Sequence, residues 1–372
     1  MYKTETDKVI RILMVSFNMD RCGAETFIMN IYRAIDRTKV QFDFLLHCSY
    51  KSDYEDEIHS LGGRIYKIQP YKIYNKQAYD KELDTFFDSH PEYKIIHGHL
   101  YNRIEYLAVA KKHGLITISH CHSTSNGKGP KAWLLNYLHR NINSVADYRF
   151  ACSEESGKWL YKNKDFKVIR NAIDTDLFMY SDEARDKTRS EFKIRQSTTL
   201  LGHVGRFLPV KQHSVLLNVF ASYHKENPDS SLLLVGEGSL IENTKKLAES
   251  LTLKDSVIFA GSRSDVNHLL CAMDLFVFPS EHEGLPVTLV EAQCTGLPCV
   301  VPEHITEEVH VTKLMKKVKS FDITAWKDAC EEALSSSSSY PRAKAYEEVK
   351  ASGFDIKQTA EELQSFYLGL AD

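Results

Sequence analysis

Phe278-Pro279-Ser280-Glu281-His282-Glu283-Gly284-Leu285-Pro286-Val287-Thr288-Leu289-Val290-Glu291-Ala292 reads as the end of a strand, a glycine turn and the start of a helix. The apolar run Leu275–Pro279 gives the strand, Gly284 the turn, and Pro286 the first turn of the new helix, where its missing N–H costs nothing. The free N–H groups of Leu285, Val287 and Thr288 then point above the carboxyl edge of a sheet, which is an anion site by geometry. Glu283 and Glu291 bracket that site eight positions apart. A carboxylate accepts both hydroxyls of a vicinal diol, so a sugar-bearing ligand suits the spacing. The competing reading is an acidic loop with a solvated helix face. It is weak, because Glu291 stands among Leu289, Val290 and Ala292, where a charge needs a partner.

Upstream, His203-Val204-Gly205-Arg206-Phe207-Leu208-Pro209-Val210-Lys211 repeats the pattern of a strand entering a glycine turn. Arg206 offers a planar fork and Lys211 a compact charge, a pair suited to the developing negative charge of a departing diphosphate. Surface Arg/Lys pairs are common, and the loop gains weight from following the first strand of its half of the chain. Around these motifs the strand candidates Thr199–Val204, Ser231–Val235, Ser256–Phe259, Leu275–Pro279 and Pro298–Val301 alternate with helical stretches. The front half alternates in the same way through Val9–Phe17, Phe42–Cys48, Arg64–Ile68, Tyr93–His99 and Leu115–His120. Near-continuous apolar strands separated by helices imply parallel sheets covered on both faces. Two such sets predict an α/β chain of two doubly wound, Rossmann-like domains. The division is placed at 1–175 and 176–355, within the charged stretch Asn171–Ile194, with an amphipathic C-terminal helix (356–372) returning to the first domain.

Composition narrows the classes. The chain has 372 residues, 43% hydrophobic and 26% charged, too long for one ordinary core. No run approaches the roughly 20 apolar residues that span a bilayer, and the start has no signal-peptide core. Eight cysteines without a C-x-x-C pair argue against a disulfide framework or a zinc site, and for the cytoplasm. Residues 1–175 carry 26 Lys+Arg against 21 Asp+Glu, a net +5, which leaves −8 for the remainder of a chain whose total is −3. That asymmetry suits anionic headgroups or a diphosphate-bearing acceptor, with chance variation as the alternative. No dense basic run or known motif points to nucleic acid. The basic, aromatic stretch Gly129–Arg140 is expected to bury its apolar face in the core, the alternative being a peripheral patch on the membrane's inner face.

The segment 278–299 and the Gly205-Arg206…Lys211 loop resemble the family 4 retaining glycosyltransferases. Over nearly its whole length the chain is similar to bacterial enzymes of that family that build capsules and exopolysaccharides. Val235-Gly236-Glu237-Gly238 and Gly261-Ser262-Arg263-Ser264-Asp265-Val266 add to the likeness. The resemblance implies the GT-B fold, a donor in the interdomain cleft, a nucleotide diphosphate sugar (a UDP-sugar) as donor, and a saccharide acceptor on a lipid. It assigns Arg206 and Lys211 to the diphosphate, Glu283 to the donor sugar's hydroxyls and Glu291 to the ribose. Gly205, Gly284, Leu285 and Pro286 fall to the backbone cradle, the Arg263 segment to the base, and Glu237 to the cleft or to a mere turn.

In the front half, Arg21-Cys22-Gly23-Ala24-Glu25 stands where the family has a glycine loop. Cys22 replaces the first of two glycines, so close approach of a phosphate rests on Gly23. His120-Cys121-His122-Ser123 ends a strand and resembles the family's cleft histidine region. His122 is favoured over His120, on the expectation that the two point to opposite faces. His97-Gly98-His99 is a second pair, and a metal held by these four histidines is not expected. Asp174-Thr175-Asp176 copies a metal signature of another glycosyltransferase architecture, but its place at the domain junction favours a structural role. No cofactor or metal is therefore expected. Two other functions stay open: a nucleotide-sugar epimerase of the same fold, and a non-catalytic nucleotide-sugar-binding module.

Overall fold

The computed structural model describes residues 9–100, 103–124, 129, 141–337 and 339–371. The stretch expected to form a basic amphipathic helix, Gly129–Arg140, lies almost entirely outside them. The chain divides into two compact units, Met1–Ala172 with Ile356–Asp372, and Ile173–Asp355. It passes from one to the other three residues before the 175/176 boundary expected above.

The first unit is a seven-stranded sheet of order β3-β2-β1-β4-β5-β6-β7. Its strands are β1 (Ile10–Ser16), β2 (Val40–Leu46), β3 (Ile65–Lys67), β4 (Ile95–Gly98), β5 (Ile116–Cys121), β6 (Tyr148–Ala151) and β7 (Lys167–Val168). The second is a six-stranded sheet of order β10-β9-β8-β11-β12-β13. It comprises β8 (Thr199–Val204), β9 (Ser230–Val235), β10 (Val257–Gly261), β11 (Leu275–Val277), β12 (Cys299–Pro302) and β13 (Met315–Val318). All neighbours in both sheets run parallel.

Side chains alternate across a strand, so each sheet feeds two cores. In β1, Ile12 and Met14 pack with Phe42, Phe44 and the C-terminal helix, while Leu13 and Val15 pack with Tyr79, Leu83 and Tyr106 on the other face. In the second unit Leu233 and Val235 of β9 face one core, and Leu232 and Leu234 the other. Strands buried on both faces have no polar side to show, which is why they read as unbroken apolar runs. The C-terminal helix Ile356–Ala371 buries Ile356, Ala360, Leu363 and Tyr367 in the first unit.

β8 and β11 are neighbours, and the strand order reverses beside β8. Open α/β sheets take ligands at such a switch point, beyond the carboxyl ends of the strands. Both motif loops leave from there.

Candidate functional site

The loop after β8 turns at Gly205, makes one tight turn over Pro209–Lys211 and enters the helix His213–Glu226 through Gln212, whose φ is 52°. The loop after β11 runs to the helix Val287–Cys294. Three contacts join the two loops. The N–H of Glu281 donates to the carbonyl of Val210 at 2.8 Å. The amide of Gln212 donates to Glu281 at 3.1 Å. The ammonium of Lys211 lies 2.7 Å from Glu283 Oε1 and 4.9 Å from the ring centre of Phe278. Arg206 is exposed, and its guanidinium has no side-chain partner among the described residues.

The third loop, after β9, packs backbone to backbone on the first. Gly205 N–H donates to Val235 and Phe207 N–H to the carbonyl of Glu237, both at 2.9 Å. Gly236, with φ 135°, has no room for a Cβ, which would stand 2.2 Å from the carbonyl oxygen of Gly205. Glu237 itself is exposed at the loop tip. Beneath lie two neutral imidazoles. Burial pushes His203 well below its usual range and His213 down to about 4. Nε2 of His203 stands 2.9 Å from where a Cβ on Gly205 would sit, so that glycine is needed for space.

Glu291 lies one turn inside its helix, half-buried, with no hydrogen-bond or ion-pair partner among the described residues. Burial pushes its carboxyl up to about 7. The partner that its apolar surroundings demand is not supplied by the described residues. Pro286 corrects the sequence reading. With ψ 85° it sits outside the helical region, at the N-cap, and its carbonyl accepts the N–H of Leu289 at 3.0 Å. Gly284 and Leu285 lie in the turn before it. The guanidinium of Arg263, expected beside a base, is forked between Asp265 and Glu191 at 2.7–2.8 Å and rests over Phe192. Asp174, Thr175 and Asp176 are each held locally. Asp174 accepts from Leu177 N–H, Thr175 donates to Asp355, and Asp176 accepts from Tyr346.

In the first unit the loop after β1 ends in Cys22, the exposed N-cap of the helix Gly23–Ala34. A Cβ on Gly23 would meet nothing within 4 Å, so the fold itself does not require glycine there. Strands β4 and β5 carry the histidines. His97 lies in β4 with His99 just after it, and His120 lies in β5 with His122 just after it. The expectation that His120 and His122 face opposite ways fails. Residues two apart on a strand share a face, and their rings stack at 4.2 Å. All four rings form one pack. His97 Nδ1 meets the Tyr367 hydroxyl at 2.6 Å, and its Nε2 meets His120 Nδ1 at 3.2 Å. His99 Nδ1 meets His122 Nε2 at 2.8 Å, and His122 Nδ1 meets Asn171 Oδ1 at 3.3 Å. Burial lowers His97 to about 3 and His122 to about 4. His120 is fully buried, and His122 reaches the surface.

His97, His99 and His120 offer nitrogens within 4.8 Å of one another. Yet their planes differ by only 11–33°, so the lone pairs run side by side. A tetrahedral ion about 2.0–2.1 Å from each nitrogen needs planes that converge. As arranged, the three do not fit a metal.

Residues 22–177 match Glycosyltransferase Family 4, and residues 184–350 match Glycosyl transferases group 1. EpsF of Bacillus subtilis (strain 168), classed as a glycosyltransferase, is 31% identical over 96% of this chain and 96% of its own. A galactosyltransferase of Escherichia coli, named for transfer from UDP-Gal to α-D-GlcNAc-diphosphoundecaprenol, is 34% identical over 36% of this chain and 35% of its own. Anabaena HepE, solved with UDP and glucose, superposes with a TM-score of 0.79 at 17% identity, covering 96% of this chain and 99% of that one.

Proposed function

We propose, from the premise that this chain belongs to the group 1 and family 4 glycosyltransferases, that it moves a hexosyl or N-acetylhexosaminyl residue from a UDP-sugar to a lipid-linked saccharide acceptor with retention. One observation carries the reading. An unpaired guanidinium, an ammonium and a helix start converge on the stitched loops after β8 and β11. Arg206, Lys211 and the N–H groups of Val287 and Thr288 take the diphosphate and stabilise its charge as the glycosidic bond breaks. Glu283, tied to Lys211, exchanges that contact for hydroxyls of the donor sugar. Glu291, half-buried and without a partner among the described residues, takes the ribose diol, and Glu237 and the Arg263 segment border the nucleotide. In the first unit a Cβ on Gly23 would meet nothing within 4 Å, which leaves room there for close approach of an anion. The retaining front-face route that the resemblance implies, with the acceptor hydroxyl attacking on the face the leaving group vacates, is preferred over double displacement, because Glu283 and Glu291 are assigned to hydroxyls of the donor rather than to a nucleophile's role. The fixed cations do the work of a metal, so none is required. Thiols at all eight cysteines suit the cytoplasm, and an acceptor on lipid places the enzyme on the membrane's inner face.

The test is incubation with a panel of labelled nucleotide sugars, with and without membrane lipid extract. Label passing into the lipid fraction supports the transferase. An isomerised nucleotide sugar formed without extract means an epimerase instead, and binding without turnover a binding module.

A further inference from the structure

Among the described residues, positive φ outside glycine occurs at Lys162, Lys193, Gln212 and Thr252. Lys162, Lys193 and Thr252 stand at or just past the carboxyl ends of helices, where a positive φ is a common way to stop. Gln212 instead opens a helix, at φ 52° and ψ 42°, and its side chain does not cap it. Glutamine carries a Cβ penalty in that conformation, which glycine escapes and asparagine bears more easily. The side chain that bears this cost leaves the helix and donates its amide to Glu281, 3.1 Å away in the loop after β11. The three contacts between the loops therefore alternate. Val210 holds Glu281 by a backbone bond of 2.8 Å, Lys211 holds Glu283 at 2.7 Å, and Gln212 holds Glu281 again. Only the middle contact is made of groups that the donor claims, Lys211 for the diphosphate and Glu283 for the sugar.

We propose that Gln212 is a positioning residue that, through Glu281, keeps the loops after β8 and β11 in register once the Lys211–Glu283 pair opens for the donor. The proposal rests on the transferase reading above, and gives a role to a residue that touches neither sugar nor phosphate. Its contribution depends on what is bound. Free UDP brings no sugar, so Glu283 stays on Lys211 and all three contacts stand. The intact donor draws Glu283 away, and the outer two contacts alone then hold Lys211 where the diphosphate needs it. Of those two, the Gln212–Glu281 bond is the one made by side chains, and so the one a substitution can remove.

Gln212→Asn keeps a residue that tolerates the left-handed backbone and shortens the arm by one methylene. Calorimetry of the full chain compares free UDP with the nucleotide sugar that the wild type turns over in the panel. The variant is expected to bind UDP within about twofold of the wild type and the nucleotide sugar about fivefold more weakly, the size of one hydrogen bond to a charged group near solvent. Its denaturation midpoint is expected to be unchanged or higher, so stability and donor affinity part company. Glu281→Ala should give the same loss, and the double variant no more than either alone, because the two side chains act as one contact. Equal losses for both ligands beside a lowered midpoint mark a residue that merely supports the fold, and overturn the proposal. Donor affinity left unmoved overturns it too, as do losses that multiply in the double variant. A wild type that binds no nucleotide sugar defeats the transferase reading, whereas a wild type that binds one while both variants match it defeats the positioning role alone.

Discussion

Glu291 is a half-buried carboxylate without a partner among the described residues, and burial raises its pKa to about 7. Its unfolded value is about 4.3, so the folded chain binds the extra proton between the two. The sign follows from that. This group's contribution is most favourable below about pH 4 and is lost as pH rises through about 7. Glu291→Gln should therefore be more stable than the wild type at pH 8, by about 1–3 kcal/mol, and nearly equal to it at pH 4. Urea unfolding at the two pH values measures this, and an unchanged difference would refute the assigned burial. Ligand binding separates the two glutamates. Glu291→Ala should weaken free UDP as well as the intact donor, whereas Glu283→Ala should spare free UDP. Calorimetry with both ligands decides, and identical losses would contradict the assignment. At this scale the sequence shows which residues carry charge but not what they touch. Nothing local pairs Lys211 with Glu283, because the two meet only once β8 and β11 lie side by side. The shared face of His120 and His122 was legible from strand periodicity alone.

The loops make opposite demands on their glycines. Gly236→Ala puts a Cβ 2.2 Å from the Gly205 carbonyl at φ 135° and should cost about 1–3 kcal/mol, with the loop after β8 displaced. Gly23→Ala meets nothing within 4 Å and begins a helix, so stability should stay within about 0.5 kcal/mol while donor turnover falls. Denaturation midpoints beside turnover for the two variants give the comparison, and a large stability loss in Gly23→Ala would overturn it. Central strands were legible because most of their residues are apolar on both faces, with buried polar exceptions such as Asp43 in β2 and His120 in β5. β6, β7 and β13 were not. β7 has two residues, β13 reads Met-Lys-Lys-Val at a sheet edge, and β6 interrupts its apolar run with Arg149. The lysines of β13 pair outward with Glu332 and Glu307, as edge strands do to discourage further pairing. Pro286 sits one position earlier than its ring suggests, because a ψ of 85° lies outside the helical region.

For the whole molecule, the two-unit α/β architecture followed from the repeated alternation of strands and helices, and the second unit's loops from two short motifs. If fixed cations neutralise the leaving diphosphate, turnover should persist in excess chelator, and Asp174→Asn with Asp176→Asn should alter stability more than chemistry. Activity abolished by chelator and restored by manganese or magnesium would end the metal-independent account. The most direct test of the central claim is release of nucleoside diphosphate from the accepted nucleotide sugar by the wild type, Arg206→Ala and Lys211→Ala, each checked for native fold. Each variant is expected to fall by roughly two to three orders of magnitude in turnover, as when one preorganised charge is removed from a transition state. Near-normal turnover in both folded variants would contradict the diphosphate site on the loops after β8 and β11.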